Sequence, residues 1–311
     1  MEVILAIDGG ATRTRCVAID RTGQTLAEAE GGASNHLHER EQDIRARLAE
    51  LVEQTLRLAN LCRRDVACLS AGFAGVDYDD YGAEPMFALF RELGFERCLI
   101  HGDMVIAHAA ALGGGPGIVM VAGTGSSILG VDGSGRRVKV GGWGPVYGNE
   151  GSAQKISERA LRAAARAYDG RGPSTALLDA LVRALGLSDF RDSLSFIYGP
   201  HARDVASLCQ AAYECAVAGD VVARSLFENA AGELADGAIA AARRLGLNGS
   251  PIPVSYQGGV MEHCPLLVAK LKERLEEELP GTHVRSPLWK PVIGAYLLAC
   301  NSVGWKATAT Q

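Results

Sequence analysis

The sequence predicts an α/β protein with two lobes, because three apolar runs each end in a short glycine-rich segment. These segments occupy residues 8–14, 123–126 and 258–260. Each run has the composition of a β-strand, and glycine lets backbone N–H groups approach an anion closely because it has no Cβ. Asp8 adds a carboxylate at the end of the first strand. The pattern therefore predicts a nucleotide-binding protein to which both lobes contribute loops.

Length, charge and apolar patterning narrow the class of protein. A chain of 311 residues can form two domains of roughly 100–200 residues each. The net charge is −5 and no basic stripe is visible, so nucleic acid is not an expected partner. No run approaches the ~18 apolar residues that span a bilayer, and the first residues lack a secretion signal. We therefore expect a cytoplasmic protein without a membrane partner, its eight cysteines reduced.

The first lobe is expected to contain five strands and several helices. The strands are predicted at 3–7, 15–20, 25–30, 65–71 and 98–101, the last two being parallel. The first helix follows the third strand, and its buried face is predicted to comprise Ile44, Leu48, Leu51, Val52, Thr55 and Leu58. A glycine-rich break at 113–117 is the expected lobe boundary. The first lobe would then comprise 1–115 and a C-terminal helix at about 291–302.

The second lobe, at 116–290, is expected to repeat the opening pattern and then become helical. Strands are predicted at 118–122, 127–131, 137–140 and 253–257. In the helical region, Gly219-Asp220 is the expected N-cap region of a long helix that ends at Gly246.

Two aspartates are candidates for chemistry. Asp8 could hold Mg²⁺ directly or through water while nearby N–H groups and threonine hydroxyls contact phosphate, although a solvated turn aspartate has the same local sequence. Asp103 follows a short strand and begins a predicted helix. It could serve as the N-cap, as a general base that takes a proton from an attacking hydroxyl, or as both.

Two further segments carry side chains suited to a polar ligand. Residues 141–153 contain five glycines, two aromatic residues and an Asn-Glu pair before a predicted helix. Long ordered loops are often functional, and such side chains can contact the ring and hydroxyls of a sugar, or the face of a base. Asn35 and His36 could orient a polar ligand or lie in a surface turn.

Several other nucleotide and metal motifs are absent from the sequence. There is no Walker-type phosphate loop, no complete dinucleotide fingerprint and no zinc-type spacing of Cys and His. Residues 77–82 match the start of a calcium-binding EF-hand loop, but Tyr81 and Ala88 would occupy ligand positions. That segment is therefore not expected to bind calcium.

These motifs resemble the sugar-kinase, Hsp70 and actin superfamily, and within it the N-acetylglucosamine kinase branch of the BadF/BadG-type ATPase family. The resemblance extends from Ile4 to about Ala299. It is carried most specifically by the 141–153 motif together with Ser34-Asn35-His36. It implies a two-lobed actin-like ATPase (ribonuclease H-like) fold, each lobe a mixed sheet flanked by helices, and a homodimer.

The resemblance also implies a role for each matching residue. The catalytic base would be Asp103. The ATP-binding residues would be Asp8, which would also lie near Mg²⁺, and Gly9, Gly10, Thr12, Thr14, Gly123, Thr124, Gly125, Gly258, Gly259 and Val260. The substrate-binding residues would be Asn35, His36, Asp103, Thr124, Ser127, Gly142, Trp143, Asn149 and Glu150.

The sequence departs from the family pattern at two positions on the implied sugar side. Asn149 stands where these kinases usually have Asp, and Ser127 stands where the vertebrate-type kinases have Asn. An amide both donates and accepts hydrogen bonds, whereas a carboxylate only accepts, so the pairing with sugar hydroxyls would change. The phosphate chemistry is therefore expected to transfer more fully than the identity of the sugar.

The resulting expectation is an ATP- and Mg²⁺-dependent kinase for a hexose or amino sugar. The favoured acceptor is N-acetylglucosamine, with N-acetylglucosamine 6-phosphate as product; glucosamine, glucose and N-acetylmuramic acid stay open. One alternative is an ATPase that activates a radical dehydratase through an iron–sulfur cluster, which the scattered cysteines disfavour. Another is a sugar-sensing protein on the same fold without turnover.

Overall fold

The structure, a computed structural model, describes residues 1–10, 13–35, 40–199, 202–247 and 251–306. Within these residues the chain forms two five-stranded sheets. One compact unit comprises Met1–Val119, Val131–Val138 and Ser286–Gln311, and the other comprises Met120–Gly130 and Lys139–Arg285. The predicted α/β class, with mixed sheets flanked by helices, is confirmed. The predicted lobe boundary at 113–117 stays a prediction.

The strands and helices have the following bounds in the described residues. The strands are β1 (Val3–Gly9), β2 (Arg13–Asp20), β3 (Thr25–Gly32), β4 (Val66–Phe73), β5 (Cys98–Gly102), β6 (Gly117–Ala122), β7 (Ser126–Val131), β8 (Arg137–Gly141), β9 (Pro253–Gln257) and β10 (His283–Arg285). The helices are α1 (Glu41–Leu58), α2 (Glu84–Glu92), α3 (Asp103–Leu112), α4 (Ala153–Tyr168), α5 (Leu177–Ala184), α6 (Ser193–Tyr198), α7 (Cys209–Val217), α8 (Val221–Leu245), α9 (Gly259–His263), α10 (Pro265–Glu278) and α11 (Pro291–Val303).

The first sheet has the strand order β3-β2-β1-β4-β5. β1 pairs antiparallel with β2 and parallel with β4, and β4 pairs parallel with β5. Both faces of β1 are covered: Leu5 and Ile7 lie in a cluster with residues of α1 and α2, whereas Ile4 packs with residues of α3 and α11. Because it is covered on both faces, β1 is a continuous apolar run, and this signal predicted it correctly.

Helix α1 buries the predicted face with one error at its C-terminal end. Leu58 was expected on that face, but 56% of its surface is exposed and Leu56 is buried instead. Leu56 follows Val52 by four residues and therefore shares its face. Two further residues turn Leu58 toward solvent.

Helix α3 begins at Asp103 as predicted, but Asp103 is not its N-cap. β5 continues to Gly102, which takes the extended conformation of an N-cap, with φ −68° and ψ 150°. Asp103 is the first helical residue, and its Oδ1 accepts a hydrogen bond from Met104 N at 2.7 Å. The carboxylate therefore lies at the junction of β5 and α3.

Helices α3 and α11 approach each other closely at Gly294. A Cβ at this position would overlap Ile106 O and would lie 2.7 Å from Ala110 N. We expect Gly294→Ala to lower the free energy of unfolding by about 1–3 kcal/mol, because backbone atoms cannot move aside cheaply. Gly232→Ala, in α8, is the matched control: no atom lies within 4 Å of its Cβ, so stability should be unchanged or slightly higher. Urea unfolding of both variants checks this, and equal effects would contradict it.

His108, on α3, gives the fold a pH-dependent stability. It is buried, and its Nε2 donates to Gly117 O at 3.0 Å. Burial lowers the pKa of His108 from 6.5 to about 4, so between these values the unfolded chain binds a proton that the native protein does not. The native protein should lose about 3 kcal/mol of unfolding free energy through this group as the pH falls through that range.

His108→Gln keeps an N–H donor but does not titrate, so it isolates this contribution. Urea unfolding at pH 7 and pH 4 measures this contribution. Between these pH values the free energy of unfolding should fall by about 3 kcal/mol more for the wild type than for the variant. The same loss in both proteins would show that His108 is not the group responsible.

The second sheet has the order β10-β9-β6-β7-β8, and the predicted strands of this part of the chain are confirmed. Both predicted ends of α8 are also confirmed. The Asp220 side chain accepts from Ala223 N, and Gly246 ends the helix with φ 71°. An aspartate N-cap and a left-handed glycine each depend on only a few residues at the helix end. The sequence could therefore predict them.

No single helix in the described part of the chain has both the length and the apolar composition of a membrane span. Val205–Val217 and Val221–Leu245 meet that test only together, as a pair bent by 117°. All eight cysteines lie in the described residues as free thiols, and all but Cys62 are buried.

Candidate active site

Two predicted site carboxylates interact within the first unit. Asp8 lies near the end of β1, and Asp103 begins α3. Burial and then the negative charge of Asp103 raise the pKa of Asp8 from 3.8 to about 6, although Arg15 and Arg13 oppose this shift. The two carboxylates therefore repel each other, and a cation beside Asp8 would relieve the repulsion.

These carboxylates fit a magnesium ion that arrives with a nucleotide. Among the described residues, no group of three or more His, Cys, Asp or Glu side chains could hold a metal. Mg²⁺ commonly binds through one or two carboxylates and completes its shell with phosphates and water. Asp8, half-buried and beside a second negative charge, is suited to that contact.

The described ends of the first glycine-rich segment lie next to each other after β1. A Cβ at Gly9 would overlap the Phe73 ring, so packing requires glycine there. Gly10 N donates to Arg13 O at 2.9 Å. Thr12, predicted to contact phosphate, lies outside the described residues.

Thr14 has a different surrounding from the one expected. Its side chain is buried, its Oγ1 donates to Gly32 O at 2.8 Å, and it lies 2.9 Å from Ser34 Oγ. A phosphate contact by this hydroxyl would require one of those bonds to be replaced. Asn35, next to Ser34, is buried, and His36 lies outside the described residues.

In the second unit, the second and third glycine-rich segments lie against each other. Gly258 has φ 99°, and a Cβ there would lie 2.5 Å from Ala122 O and 3.1 Å from Gly123 N. Only glycine combines that left-handed conformation with so close an approach. The structure therefore brings together two segments that are 135 residues apart in the sequence.

A cavity of about 450 Å³ opens beside these two segments. This volume is in the range of small-molecule sites. Its lining includes four predicted ATP-binding residues, namely Gly123, Thr124, Gly259 and Val260. The lining also includes Ala153, the last residue of the 141–153 motif, whereas sequence reasoning missed Ser207, Cys209, Gln210, His263 and Cys264. No motif marks these residues, because they come from helices whose local sequence reflects packing.

Ser127 and Gly142 form the first part of the predicted sugar side. The Ser127 Oγ is buried and has no hydrogen-bond partner in the described structure. Gly142 has φ 73°, and a Cβ there would lie 2.9 Å from that oxygen. A buried hydroxyl without a partner is costly, so a ligand hydroxyl at this point would gain a hydrogen bond.

Asn149 is the second part of the predicted sugar side. It is buried and has φ 63°, an uncommon conformation that asparagine tolerates better than most residues. Gly125 packs against it, because a Cβ at Gly125 would lie 3.1 Å from Asn149 Oδ1. The amide is therefore held beside the second glycine-rich segment by its backbone and by this contact.

A second cavity of the same unit, of about 420 Å³, is lined by Ser127, Trp143 and Glu150. The Trp143 ring is 65% exposed and stacks on Tyr147, with ring centroids 6.4 Å apart. An exposed aromatic face of this kind suits the apolar face of a sugar ring. Glu233 and Asp236, which the sequence did not single out, line the same cavity.

Glu233 anchors the 141–153 loop from a distant part of the sequence. It accepts a hydrogen bond from Gly151 N at 3.2 Å and forms a two-point ion pair with Arg159, at 2.8 and 2.6 Å. Such bidentate pairs fix geometry as well as adding energy. The only sequence signal was a pair of opposite charges 74 residues apart, which predicts no contact.

The predicted site residues thus fall into two groups, each within one unit. The first unit contains Asp8, Gly9, Gly10, Thr14, Asn35 and Asp103. The second contains Gly123, Thr124, Gly125, Ser127, Gly142, Trp143, Asn149, Glu150, Gly258, Gly259 and Val260.

Comparison with known proteins gives concordant relatives. The chain is 31% identical over 314 residues to N-acetyl-D-glucosamine kinase of Dictyostelium discoideum, with 97% of this chain and 98% of that one covered. It is 26% identical to N-acetylmuramic acid/N-acetylglucosamine kinase of Clostridium acetobutylicum, covering 96% and 98%. A solved structure from Chromobacterium violaceum, provisionally described as an N-acetylglucosamine kinase, is 26% identical with a TM-score of 0.77, covering 96% and 98%.

The sequence pattern of one family matches residues 5–299, which is nearly the whole chain. That range includes every predicted site residue, and the relatives match over nearly their full lengths. The chain belongs to the BadF/BadG/BcrA/BcrD ATPase family.

Proposed function

We propose that the protein is an ATP-dependent kinase that phosphorylates a hydroxyl of a hexose or amino sugar, with N-acetylglucosamine as the favoured acceptor. The observation that carries this proposal is the cavity where residues of the second and third glycine-rich segments meet. Relatives that match nearly the whole chain are N-acetylglucosamine kinases by name, which supports the acceptor. We also propose that it works as a homodimer in the cytoplasm.

In this proposal the second unit binds the nucleotide. Gly123 and Thr124 would contact the phosphates through backbone N–H groups, and Gly259 and Val260 would hold the adenosine in the 450 Å³ cavity. Asp8 would hold Mg²⁺. Magnesium bound with ATP would neutralise part of the charge on the transferring phosphoryl group.

Asp103 would act as the general base. Its carboxylate would take the proton of the acceptor hydroxyl as that oxygen bonds to the γ-phosphorus and the bond to the β,γ-bridging oxygen breaks, which releases ADP. The contact from Met104 N holds one carboxylate oxygen in place.

On the sugar side, Ser127 and Asn149 would hydrogen-bond to acceptor hydroxyls. The unpartnered Ser127 Oγ would gain its bond when the sugar is present. Trp143 would cover a face of the ring. Asn35 would contribute a further polar contact.

The cavity beside Trp143 predicts how the enzyme treats a charged acceptor. Its described lining contains Glu150, Glu233 and Asp236 and no lysine or arginine. Glu233 is paired with Arg159, and Asp236 lies 3.9 Å from Arg274, so Glu150 is the carboxylate whose charge the carboxylate of N-acetylmuramic acid would meet. We expect kcat/KM for N-acetylglucosamine to exceed that for N-acetylmuramic acid by about 10-fold or more, and Glu150→Gln to narrow the gap. Equal values for the two sugars would contradict this expectation.

A coupled assay of ADP release with Mg²⁺-ATP tests the whole proposal. The panel comprises N-acetylglucosamine, glucosamine, glucose and N-acetylmuramic acid. Strong turnover with N-acetylglucosamine supports the proposed acceptor and shows that Asn149 serves an N-acetylated sugar. Background rates with every sugar, from folded protein that binds ATP, would overturn the proposal and favour a sugar-sensing role.

A further inference from the structure

Residues 77–82, the acidic segment that the proposed function leaves unused, contact the strand that leads into Asp103. Asp80 Oδ1 lies 3.0 Å from His101 Nδ1. A carboxylate only accepts hydrogen bonds, so Nδ1 is the donor. His101 is the penultimate residue of β5 and stands two residues before Asp103.

The backbone of the same loop packs on the next residue, Gly102. A Cβ there would lie 2.6 Å from Val76 O and 2.8 Å from Asp77 O. β5 is at the edge of the first sheet and is paired only with β4. The end of an edge strand is prone to local opening, so this loop takes the place that a neighbouring strand would have.

A cation from a distant segment completes the cluster. Arg137 Nη1 lies 3.7 Å from Asp80 Oδ1 and donates to Tyr78 O at 2.9 Å. Arg137 belongs to the same compact unit as Asp80 and His101. The Asp80 and Arg137 side chains are 41% and 28% exposed, and ion pairs this exposed add little stability. We therefore expect the Asp80–Arg137 pair to affect the local geometry more than the free energy of unfolding.

The loop itself is closed and constrained. Asp77 N donates to Tyr81 O at 2.9 Å, and Asp80 N donates to Asp77 O at 3.1 Å. Asp80 has φ 66°, a left-handed conformation that few side chains other than Asn and Asp adopt readily. This conformation presents the carboxylate to His101 and Arg137.

We propose that Asp80 is a positioning residue: with Arg137 it holds His101, and through His101 the end of β5 and the carboxylate of Asp103. The inference rests on the proposed function, because it takes Asp103 as the general base. Catalytic groups must be held within about 0.5 Å of the productive geometry, and a misplacement of 1 Å can lower a rate by about 10²-fold. Loss of the Asp80 side chain should therefore lower kcat without an equal loss of fold.

The test compares Asp80→Gly with Asp79→Gly. Both remove one negative charge from the same loop, and glycine tolerates the φ of Asp80. Asp79 is exposed, and its Oδ1 accepts a hydrogen bond from Tyr81 N, inside the loop. We expect Asp80→Gly to lower kcat by about 10- to 100-fold with KM for ATP changed less than about 2-fold. Asp79→Gly should retain kcat within about 2-fold.

Three further measurements separate positioning from a general structural role. Asp80→Asn keeps an acceptor oxygen for His101 and tolerates the backbone, so it should recover most of kcat. In a double-mutant cycle, His101→Gln should add less than about 2-fold to the loss in Asp80→Gly, because both act through one contact. Hydrogen exchange at residues 98–104 should rise in Asp80→Gly and stay unchanged in Asp79→Gly.

An unchanged kcat in folded Asp80→Gly would overturn the inference. A loss of kcat in Asp80→Gly that Asp79→Gly matches would also overturn it, and so would a loss of kcat with an equal rise in KM for ATP. Either result would indicate general damage to the protein. A wild type that turns over none of the sugars overturns the proposed function first, and the inference with it. Wild-type turnover with an unaffected Asp80→Gly overturns the inference alone.

Discussion

Asp103→Asn is expected to lower kcat by about 10²–10⁴-fold while the protein stays folded, since that is the usual contribution of a general base. An asparagine oxygen can still accept the hydrogen bond from Met104 N, so the start of α3 should be preserved. The amide cannot take the proton of the acceptor hydroxyl at neutral pH. KM for ATP should change little, because the substitution removes a proton acceptor and no predicted nucleotide contact.

Steady-state kinetics with the best sugar of the panel, together with the thermal unfolding midpoint, measure this effect. Asp43→Asn is the matched control, because Asp43 lies in the first turn of α1, is not among the predicted site residues, and pairs with Arg40 at the surface. It should retain wild-type kcat. A folded Asp103→Asn enzyme with unchanged kcat would remove Asp103 as the base.

Asp8→Asn is expected to have opposite effects on activity and on stability. Burial and the charge of Asp103 raise the pKa of Asp8 from 3.8 to about 6. An acid whose folded pKa is raised holds its proton more tightly when folded, so its ionisation destabilises the native state as the pH rises from 3.8 through 6. A neutral amide removes that cost, and the protein without magnesium should gain about 1–3 kcal/mol at pH 8.

The same substitution should lower kcat by about 10²-fold or more, because a carboxylate that would hold Mg²⁺ is lost. Urea unfolding at pH 8 and pH 4, with chelator present, should show a gain in stability at pH 8 that disappears at pH 4. Mg²⁺-ATP should stabilise the wild type more than the variant. A less stable Asp8→Asn protein at pH 8 would contradict the electrostatic interpretation.

Asp20 supplies a control of opposite sign on the same sheet. Burial raises the pKa of Asp20, but hydrogen bonds from Thr22 and Gln24 outweigh that effect and the pKa is lowered. Asp20→Asn should therefore lose stability at pH 8 and leave kcat unchanged. The two variants therefore distinguish Asp20, whose charge stabilises the native state, from Asp8, whose charge destabilises it.

The predictions from the sequence were most successful where a requirement is local. The first strand of each sheet was predicted because a buried central strand is an uninterrupted apolar run. Gly246 was predicted as a helix end because the left-handed conformation favours glycine. Asp103 was predicted as an N-cap, but the N-cap is the preceding residue, Gly102. Sequence does not resolve the residue at which a strand ends and a helix begins.

Pairings across long separations were beyond the sequence. The bond from the Thr14 hydroxyl to Gly32 O was not predicted, and the phosphate contact of Thr14 stays a prediction. The residues around a threonine do not show whether its hydroxyl bonds to a ligand or to the backbone of a hairpin. Glu233 supports the 141–153 loop from 82 residues beyond Gly151, and no spacing rule connects them.

The sequence by itself determined the strands, the glycine-rich segments and the residue types at their ends, because these follow from backbone conformation and burial over a few residues. The tertiary structure decided which of them meet. Gly258 lies against Gly123, and Asp80 holds His101, because strand order and loop packing bring those segments together. In a close-packed protein such contacts form only where side-chain volume, charge and backbone conformation are all compatible. That compatibility depends on the whole fold.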